Sequence, residues 1–564
     1  MKKVIVVGGV AGGASAAARI RRLDEKADIT IFERGPHVSF SNCAMPYYLG
    51  GSIADAEGLI MMGPEDFKAR YHINVRVEHE VMSINRADKT VSVRDERKGR
   101  FYSEQYDVLV LSPGAQPVVP RSIGGTEFPH VFTIRNVADI TRLKQFMSGK
   151  SVNDIAVIGG GFIGIEVAEN LCCAHKHVTI VEAANQVLMP FDYDMVQILQ
   201  KECLDHGVDL IVGDGLSTIT QHEIELGSGK KIRAQAVVLA IGVVPEIKLA
   251  KDANLEIGVT GGIKVNQRFQ TSDPDIYAVG DAIEVYHALT HQPSRLALAG
   301  PAQRQARAAA DSIYGVNHNH RGVIGSCAVR VFGLNAAVTG MNEKTAQAAG
   351  IPYDFVYTNS FDRPGSMPDA KPMHFKLLYE IPTGRVLGAQ AIGEGSADKR
   401  VDVIAAMITM GAYLEDLKEL ELCYSPIFGS ARDVVNQAAL VALNVLYGKM
   451  RQVPVSAARG LVEANACIID VREEAEFNSG HLLNAKNIPF SQMRDRIDEI
   501  PKDQPVYLHC RTSQRSYNAL MALQGRNFQN IWNISGSYLG ICFYEYFTDV
   551  KRNRRPIVTE YNFQ

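Results

Sequence analysis

Short apolar runs alternate with helical stretches along the first half of the chain. The run at 3–7 precedes a glycine-rich turn and an alanine-rich helical stretch, and the next apolar run ends on the acid Glu33. The same order returns at 154–171 and 177–184, where the second run ends on Glu182. Brief apolar runs between glycine-rich turns predict buried parallel strands, so both segments predict the strand–helix–strand unit of a dinucleotide domain.

The later pattern divides the chain further. A predicted strand at 271–283 ends on Gly280 and Asp281. We interpret this strand as the point where the first dinucleotide domain resumes, so the second dinucleotide domain is inserted into the first. Short strands and helices at 322–448 predict an α+β domain without a phosphate loop, and strands alternate with helices again after 448–454. The predicted class is α/β. Four domains are predicted. The first consists of 1–115 together with 271–321, and the others are 116–270, 322–448 and 454–564.

Composition and charge exclude several classes of protein. The 564 residues exceed what one hydrophobic core supports, and 59 basic against 62 acidic residues leave a net charge of −3, which argues against a general nucleic-acid binder. Nine cysteines, an odd number without a CxxC pair, predict neither a disulfide scaffold nor a metal site. No apolar run is long enough for a membrane span, so we expect a cytoplasmic protein of a reducing compartment.

The second glycine-rich turn carries a complete Gly-x-Gly-x-x-Gly pattern at Gly159, Gly161 and Gly164. Such glycines allow a tight turn, backbone approach to a pyrophosphate, and close packing of helix on strand. Glu182 can accept hydrogen bonds from both ribose hydroxyls and would repel a 2′-phosphate, so we expect NADH to be favoured over NADPH. The residues assigned to NAD are Gly159, Gly161, Gly164, Glu182 and Gly242.

In the first turn, valine occupies the place of the middle glycine. The alternative is an ordinary glycine-rich turn without a ligand, but the surrounding strand, helix and acid repeat those of the second turn. Two such turns and a late Gly-Asp pair fit FAD in the first domain, with Asp281 bonding the ribityl hydroxyls, and a nicotinamide in the second. The residues assigned to FAD are Gly8, Gly9, Val10, Ala11, Gly13, Glu33, Arg34, Gly280 and Asp281.

Cys43 follows the second predicted strand, at the sheet edge where ligands bind. A thiolate there could stack over the flavin and receive its electrons, provided that positive charge or a helix N-terminus lowers its pKa. The alternative is a small loop residue, but Ser39, Ser41 and Asn42 make the segment polar, unlike a core segment.

Cys510 opens a loop between a predicted strand and a helix, an arrangement that gathers backbone N–H groups around a sulfur. Arg511 and Arg515 would add positive charge for a thiolate or persulfide. The alternative is a capped helix with an incidental cysteine.

Residues 1–445 resemble the flavin-dependent pyridine nucleotide–disulfide oxidoreductases, specifically the coenzyme A–disulfide reductase branch, in which Val10 is usual. Two-cysteine relatives carry a second cysteine five residues after the first, whereas here Tyr48 stands there, so the resemblance implies that Cys43 acts alone. The segments that carry the resemblance are GGVAGGASAAARIRRL, SFSNCAMPYYLGG, GGGFIGIE, YAVGDA and LCYSPIFGSARD.

The resemblance also implies a homodimer formed through 322–448, in which Tyr424 reaches over the partner's active cysteine. A second family tyrosine is missing, because Ser366–Ala370 occupies its segment. Arg19 and Arg22 share a helix face and suit a phosphorylated ligand, although alone they would favour a solvated basic face. The positions that match coenzyme A contacts are Ser15, Arg19, Arg22, Ser39 and Asn42.

Most of residues 454–550 resemble the rhodanese (sulfurtransferase) family. Two separated motifs in the right order carry this resemblance: DVREEAEFNSGHLLNAKNIP and the loop that begins at Cys510. Asp470, Arg472 and His481 match the structural signature of the family, and Cys510 matches its sulfur-carrying nucleophile.

Together the two resemblances imply an NADH-dependent reductase of persulfide or polysulfide, such as coenzyme A persulfide. In this hypothesis Cys43 forms a mixed disulfide with coenzyme A, and Cys510 relays sulfane sulfur. The alternatives are a coenzyme A–disulfide reductase and an NADH oxidase or peroxidase that uses a Cys43 sulfenic acid. Outside enzymes, the alternative is a redox sensor or a sulfur-relay partner.

Overall fold

The computed structural model describes residues 1–149, 152–316 and 320–563. They form two compact units, Met1–Asn185 with Ile211–Val323 and Gln186–Leu210 with Ile324–Gln564. Segment 186–210, which the sequence places within 116–270, thus packs with the second unit. Among the described residues, no helix has the length and apolar character that crossing a bilayer requires.

The first sheet of the first unit is parallel and has the order β18-β7-β1-β2-β3. All four residues of β7 are buried, as are four of the five residues of β1, which explains their unbroken apolar runs. The elements up to residue 117 are β1 (Lys3–Val7), α1 (Ala11–Leu23), β2 (Asp28–Glu33), α2 (Met45–Leu49), α3 (Pro64–Tyr71), β3 (Asn74–Val77), β4 (His79–Asn85), β5 (Thr90–Asp95), β6 (Arg100–Gln105), β7 (Val108–Leu111) and β8 (Ala115–Pro117). Strand β18 is Ile276–Ala278.

The second sheet, with the order β12-β11-β10-β16-β9, repeats this parallel arrangement, and β8 pairs with β17 in a separate two-stranded ribbon. The elements that follow β8 are β9 (Val131–Thr133), α4 (Val137–Met147), β10 (Asp154–Ile158), α5 (Phe162–Cys173), β11 (His177–Glu182), α6 (Tyr193–Asp205), β12 (Asp209–Val212), β13 (Leu216–Ile219), β14 (Glu223–Leu226), β15 (Lys231–Arg233), β16 (Ala236–Leu239), β17 (Val243–Pro245), α7 (Lys248–Asp252), β18, β19 (Val285–Tyr286), β20 (Pro293–Ser294) and α8 (Ala299–Ile313).

The second unit contains an antiparallel sheet, β21-β22-β25-β24-β23, and a parallel sheet, β26-β30-β29-β27-β28. The predicted α/β class, with its α+β domain and small C-terminal α/β domain, is confirmed. The remaining elements are β21 (Cys327–Val331), β22 (Leu334–Gly340), α9 (Glu343–Ala348), β23 (Tyr353–Phe361), β24 (Pro372–Glu380), β25 (Val386–Gly393), α10 (Ala397–Met410), α11 (Leu414–Lys418), α12 (Val434–Leu446), β26 (Gln452–Val453), α13 (Ala458–Glu463), β27 (Cys467–Asp470), α14 (Glu474–Asn478), β28 (Lys486–Asn487), β29 (Val506–His509), α15 (Gln514–Gln524), β30 (Ile531–Ile534) and α16 (Ser537–Arg552).

A buried ammonium ion joins α6 and α9 to the antiparallel sheet. Lys376 on β24 is 1% exposed, and its Nζ lies 2.8 Å from Asp194, 2.5 Å from Glu343 and 3.2 Å from Asp192. Burial alone would lower the pKa of Lys376, but the three carboxylates raise it above its ordinary value. These carboxylates are close enough together to hold a cation, and the Lys376 ammonium supplies the positive charge between them.

We expect Lys376→Met to lower the free energy of unfolding of the second unit by about 3–5 kcal/mol, because buried carboxylates lose their counter-ion. Urea denaturation near neutral pH measures this, and the loss should shrink in acid as the carboxylates protonate. Lys399→Met, which breaks an exposed pair with Asp402, is the control and should cost less than about 1 kcal/mol. Equal losses in the two variants would contradict the expectation.

Candidate functional site

Both glycine-rich turns have the same local geometry. Gly8 has φ +90° and Gly159 has φ +105°. A Cβ on Gly8 would lie 2.1 Å from the carbonyl oxygen of Ser112, and one on Gly159 would lie 2.4 Å from that of Ala240. Only glycine therefore allows each turn to pass so close to the neighbouring parallel strand.

The third glycine of each turn allows the helix to approach the strand. A Cβ on Gly13 would lie 1.8 Å from the carbonyl oxygen of Gly8, and one on Gly164 would lie 1.9 Å from that of Gly159. At the middle position, a Cβ on Gly161 would meet nothing within 4 Å. The second turn thus leaves open space where the sequence analysis expects a pyrophosphate.

Each turn is tied to the acid at the end of the following strand. Glu33 accepts a hydrogen bond from the Gly9 N–H at 2.9 Å, and Glu182 accepts one from the Gly160 N–H at 2.7 Å. Each carboxylate also accepts the N–H of the residue two positions further on, at 2.9 and 2.7 Å. Both acids are thereby held beside the glycine turns with carboxylate lone pairs remaining for ribose hydroxyls.

The other residues assigned to nucleotides lie in turns and at helix starts of the same unit. Val10 and Ala11 begin α1, with Val10 half-buried at the position before the helix. Gly280 has φ +81°, and its N–H donates to the side-chain oxygen of Gln305 at 2.8 Å. It begins a short helical turn after β18 that contains the half-buried Asp281. Burial raises the pKa of Asp281.

Two further residues complete this group. Arg34 is exposed and lies 3.5 Å from Glu246, and Gly242 has φ +107° with open space beside it. The glycine cradle, the tethered acids and a carboxylate beyond β18 fit FAD in the first half of the unit and a nicotinamide dinucleotide in the second.

Cys43 is exposed and lies in a single helical turn, Asn42–Ala44, directly before α2. Asn42 donates from Nδ2 to the Arg135 carbonyl at 3.1 Å. Lys144 on α4 donates to the carbonyl of Tyr48 on α2 at 2.6 Å, and its Nζ lies 3.7 Å from the centre of the Tyr48 ring. The tyrosine that stands in place of a second cysteine is therefore clamped, and it anchors the helix behind Cys43.

The charged groups that act on Cys43 are acidic, whereas a lowered pKa of its thiol would require positive charge. Although Cys43 is exposed as a residue, the surrounding protein partly removes its sulfur from water; this desolvation raises the pKa of the thiol, and Glu166 and Asp281 raise it further. Glu166, on α5, has a pKa raised to about 7 by burial and by Glu169. The described protein groups thus favour the neutral thiol, and the expected lowering of its pKa does not come from them.

The positions matched to coenzyme A lie on α1 and in the turn before Cys43. Arg19 is paired through Nε and Nη2 with Asp311 at 2.7 and 2.6 Å, whereas Arg22 is exposed. Ser15 is half-buried one turn earlier, and Ser39, with φ +49°, donates its N–H to the Gly9 carbonyl. Arg22 presents the exposed guanidinium of the expected pair, while that of Arg19 is engaged by a carboxylate.

In the second unit, Tyr424 lies in the loop between α11 and α12 and is 54% exposed. Ile427 and Phe428 in the same loop are also exposed. Ser366–Ala370, where the second family tyrosine is missing, lies between β23 and β24. The loop of Tyr424 therefore presents an apolar surface.

Cys510 is buried, 1% exposed, between β29 and α15. Its N–H donates to Ser537 Oγ at 3.3 Å, and its carbonyl accepts the N–H of Tyr538 at 3.0 Å. The Arg511 carbonyl accepts the next N–H, from Leu539, at 3.2 Å. The first turn of α16 thus holds the loop that carries the sulfur.

The two arginines of this loop are each engaged with other protein groups. Arg515 donates to both oxygens of Glu476, at 2.6 and 2.7 Å, and hydrogen bonding to Glu476 raises the pKa of Arg515. Arg511 donates to the Asn562 carbonyl at 3.2 Å, and burial lowers its pKa. The Arg515 guanidinium also interacts with Cys510, so its positive charge is shared between the Glu476 carboxylate and the sulfur.

The residues of the predicted rhodanese signature include one enclosed ion pair. Asp470 and Arg472 are fully buried and paired at 2.6 Å, and the Arg472 guanidinium lies 4.0 Å from the Tyr538 ring. His509 lies 3.7 Å from Asp470. His481 stacks on Phe477, and its Nδ1 lies 2.9 Å from the carbonyl oxygen of that residue. Arg472 donates to the carbonyl of Gly480, directly before His481, at 2.7 Å.

Sequence reasoning missed three side chains that shape these sites. Glu166 had a signal, since it is an acid two residues after Gly164 in an apolar helix start. Lys144 and Glu476 had none, because each meets its partner across a long stretch of chain.

Comparison with known families supports this assembly. Residues 2–306 match the model of the pyridine nucleotide-disulphide oxidoreductases, and 327–434 match the dimerisation domain of the same family. Residues 455–542 match the rhodanese-like domain.

Individual relatives agree. A coenzyme A disulfide reductase of Staphylococcus epidermidis is 32% identical over 77% of this chain and 98% of its own length. The structure of reduced Bacillus anthracis CoADR-RHD has a TM-score of 0.94 and 41% identity, covering 96% of this chain and 98% of that one. A NAD-dependent persulfide reductase from A. fulgidus has a TM-score of 0.90 and 32% identity, covering 96% and 99%.

We expect Glu182→Ser to raise the ratio of kcat/KM for NADPH to that for NADH by about tenfold, because the variant loses the charge that repels a 2′-phosphate. Steady-state kinetics with both nucleotides measure this ratio. Glu223→Ser, on β14, removes a carboxylate of the same domain outside the glycine turn and should leave the ratio unchanged. A ratio unaffected in Glu182→Ser would contradict the assignment.

We expect Glu166→Gln to speed the alkylation of Cys43 by iodoacetamide about two- to fivefold above neutral pH, since it removes a negative charge that raises the pKa of the thiol. Because Glu166 has a pKa of about 7, the difference from the unaltered protein should grow as the pH rises through neutrality and vanish in acid. Mass spectrometry of the Cys43 peptide follows the rate. Glu65→Gln, exposed on α3, is the control, and a pH-independent difference would refute the coupling.

Proposed function

Because the chain belongs to the pyridine nucleotide-disulphide oxidoreductase family, with dimerisation and rhodanese-like domains, we propose that it is an NADH-dependent persulfide or polysulfide reductase that releases hydrosulfide. FAD and a nicotinamide nucleotide are the cofactors that the family implies. One observation carries the proposal: the exposed Cys43 has Tyr48 in place of a second cysteine, while the same chain holds a second sulfur site at Cys510.

A solitary thiol either forms a mixed disulfide with an external sulfur compound or is oxidised by peroxide, and the proposal takes the first course. The Cys43 thiolate attacks the thiol-side sulfur of coenzyme A persulfide, which forms a Cys43–coenzyme A disulfide and expels hydrosulfide. Two electrons and a proton then return the Cys43 thiolate and free coenzyme A thiol, so each turnover consumes one NADH. Bound FAD would supply the two-electron transfer from NADH that reduces the Cys43–coenzyme A disulfide.

The protein side chains hold the cofactors and the substrate for this exchange. Glu33 and Asp281 hold the flavin nucleotide, and Glu182 holds the ribose of NADH. Ser15, Arg22, Ser39 and Asn42 contact coenzyme A, with Arg19 held beside them by Asp311. Tyr424, supplied by the second subunit of a homodimer, protonates or orients the leaving group. The match of 327–434 to the dimerisation domain supports that partner.

The Cys510 loop supplies the substrate of Cys43. Cys510 takes sulfane sulfur from polysulfide, elemental sulfur or another donor to form a persulfide, and the coenzyme A thiolate then takes the outer sulfur. This transfer regenerates the Cys510 thiolate and yields coenzyme A persulfide. The long pantetheine arm of coenzyme A lets the sulfur travel to Cys43.

Coenzyme A–disulfide reduction is the second candidate, and the 32% identity to the Staphylococcus epidermidis enzyme favours it. The same Cys43–coenzyme A disulfide would form, with coenzyme A thiol as the leaving group. The two functions share every step after the Cys43–coenzyme A disulfide has formed. They are distinguished by whether the enzyme prefers coenzyme A persulfide or coenzyme A disulfide as its substrate.

Anaerobic NADH oxidation with coenzyme A persulfide, coenzyme A disulfide and polysulfide, measured side by side, tests the proposal. We expect the highest kcat/KM with the persulfide, and a loss of about a hundredfold or more with every substrate in Cys43→Ser. Cys173→Ser, an exposed cysteine on α5, is the control and should retain activity. A Cys43→Ser protein with full activity would refute the mechanism, and a preference for the disulfide would favour the second candidate.

The relay makes a separate prediction. Cys510→Ser should lower polysulfide-dependent NADH oxidation in the presence of coenzyme A by about tenfold and leave turnover of added coenzyme A persulfide unchanged, because the persulfide bypasses the relay. If both activities stay intact, Cys510 plays no part in the reduction.

A further inference from the structure

One of the two arginines matched to coenzyme A is already paired within the protein. Arg19 on α1 donates from Nε and Nη2 to one oxygen of Asp311 on α8, at 2.7 and 2.6 Å. The two side chains are 19% and 7% exposed, so water and salt screen this pair only weakly. The charge of Arg19 is therefore largely balanced before a ligand arrives.

Arg22, its neighbour on the same helix, is in a different setting. It is exposed, and its guanidinium carbon lies 5.8 Å from the centre of the Tyr71 ring. An aromatic face attracts a cation but does not cancel its charge. The helix face that would meet phosphate groups thus carries one balanced and one unbalanced guanidinium.

Pairing does not use up the donors of Arg19. A guanidinium has five N–H groups, and Asp311 engages two of them, which leaves three for a phosphate. The carboxylate repels the same phosphate from close beside the guanidinium, so the net attraction is weaker than that of an unpaired arginine. Asp311 therefore keeps Arg19 in place while lowering the strength with which it binds an anion.

We propose that Asp311 sets the affinity of the α1 site for the phosphate groups of coenzyme A and holds it below what two unpaired arginines would give. Weak binding suits the proposed relay, in which coenzyme A takes up sulfur at Cys510 and leaves the Cys43 site after each turnover. A ligand that is held more tightly dissociates more slowly and delays the next transfer. This inference rests on the proposed function and identifies a residue that tunes its substrate site.

Binding of desulfo-coenzyme A, which keeps the phosphates and lacks the thiol, tests the inference on the full-length, FAD-loaded protein. We expect Asp311→Asn to bind it about five- to tenfold more tightly at low ionic strength, because the amide keeps an acceptor oxygen for Arg19 and removes the negative charge. Isothermal titration calorimetry measures the Kd. The gain should shrink as the ionic strength rises to about 0.5 M, since salt screens the attraction between site and phosphates.

A matched control separates this local effect from a change in net charge. Asp275→Asn removes a carboxylate of the same unit that pairs with Lys89 at 2.6 Å, and it should bind desulfo-coenzyme A as the unaltered protein does. Asp311→Ser removes the same charge as Asp311→Asn and serves if the asparagine variant does not retain FAD.

The outcomes distinguish the inference from the site on which it rests. Unchanged or weaker binding in Asp311→Asn, a gain that does not depend on ionic strength, or an equal gain in Asp275→Asn would overturn the inference. Arg22→Gln tests the site itself and should weaken binding about tenfold. If Arg22→Gln and Arg19→Gln both bind as tightly as the unaltered protein, coenzyme A does not bind at α1, and the inference falls with that part of the proposed function.

Discussion

The close approach between glycine turn, helix and strand is the constraint on which the nucleotide domains depend. With no side chain at Gly13 or Gly164, each helix starts almost in contact with the carbonyl of the first glycine of its turn. That approach places the backbone N–H groups of the turn within hydrogen-bond distance of Glu33 and Glu182. Two separate segments of the chain therefore build the same cradle from backbone and one carboxylate.

The two reactive sulfurs are managed in different ways. Cys43 is exposed, and the acids near it favour the thiol, so its charged form depends on what binds there. Cys510 is buried in a loop that the first turn of α16 holds, and it has the Ser516 hydroxyl beside it. An exposed thiol suits exchange with a bulky partner, whereas an enclosed one suits the storage of a single sulfur atom.

Buried ions organise the second unit. Lys376 holds three carboxylates from α9, α6 and the segment before it, and Asp470 with Arg472 forms a fully enclosed pair beside Tyr538. Such groups make a structure intolerant of single changes, because removing one partner leaves an uncompensated charge. The segment that carries α6 joins the second unit through this cluster.

The sequence by itself determined the fold class, the two glycine turns with their acids, and the two cysteines that carry the proposed chemistry. These features depend on local order along the chain: buried strands appear as apolar runs, and Gly161 or Glu182 is recognised by its distance from a strand. Only the tertiary structure showed that Asp311 pairs with Arg19, that Glu476 pairs with Arg515, and that Lys144 contacts Tyr48. It also showed that the Ser516 hydroxyl contacts both Asn533 and Cys510. Each of these pairs joins positions far apart in the chain, and a charge or an amide carries no mark in the sequence of the partner that it meets on folding.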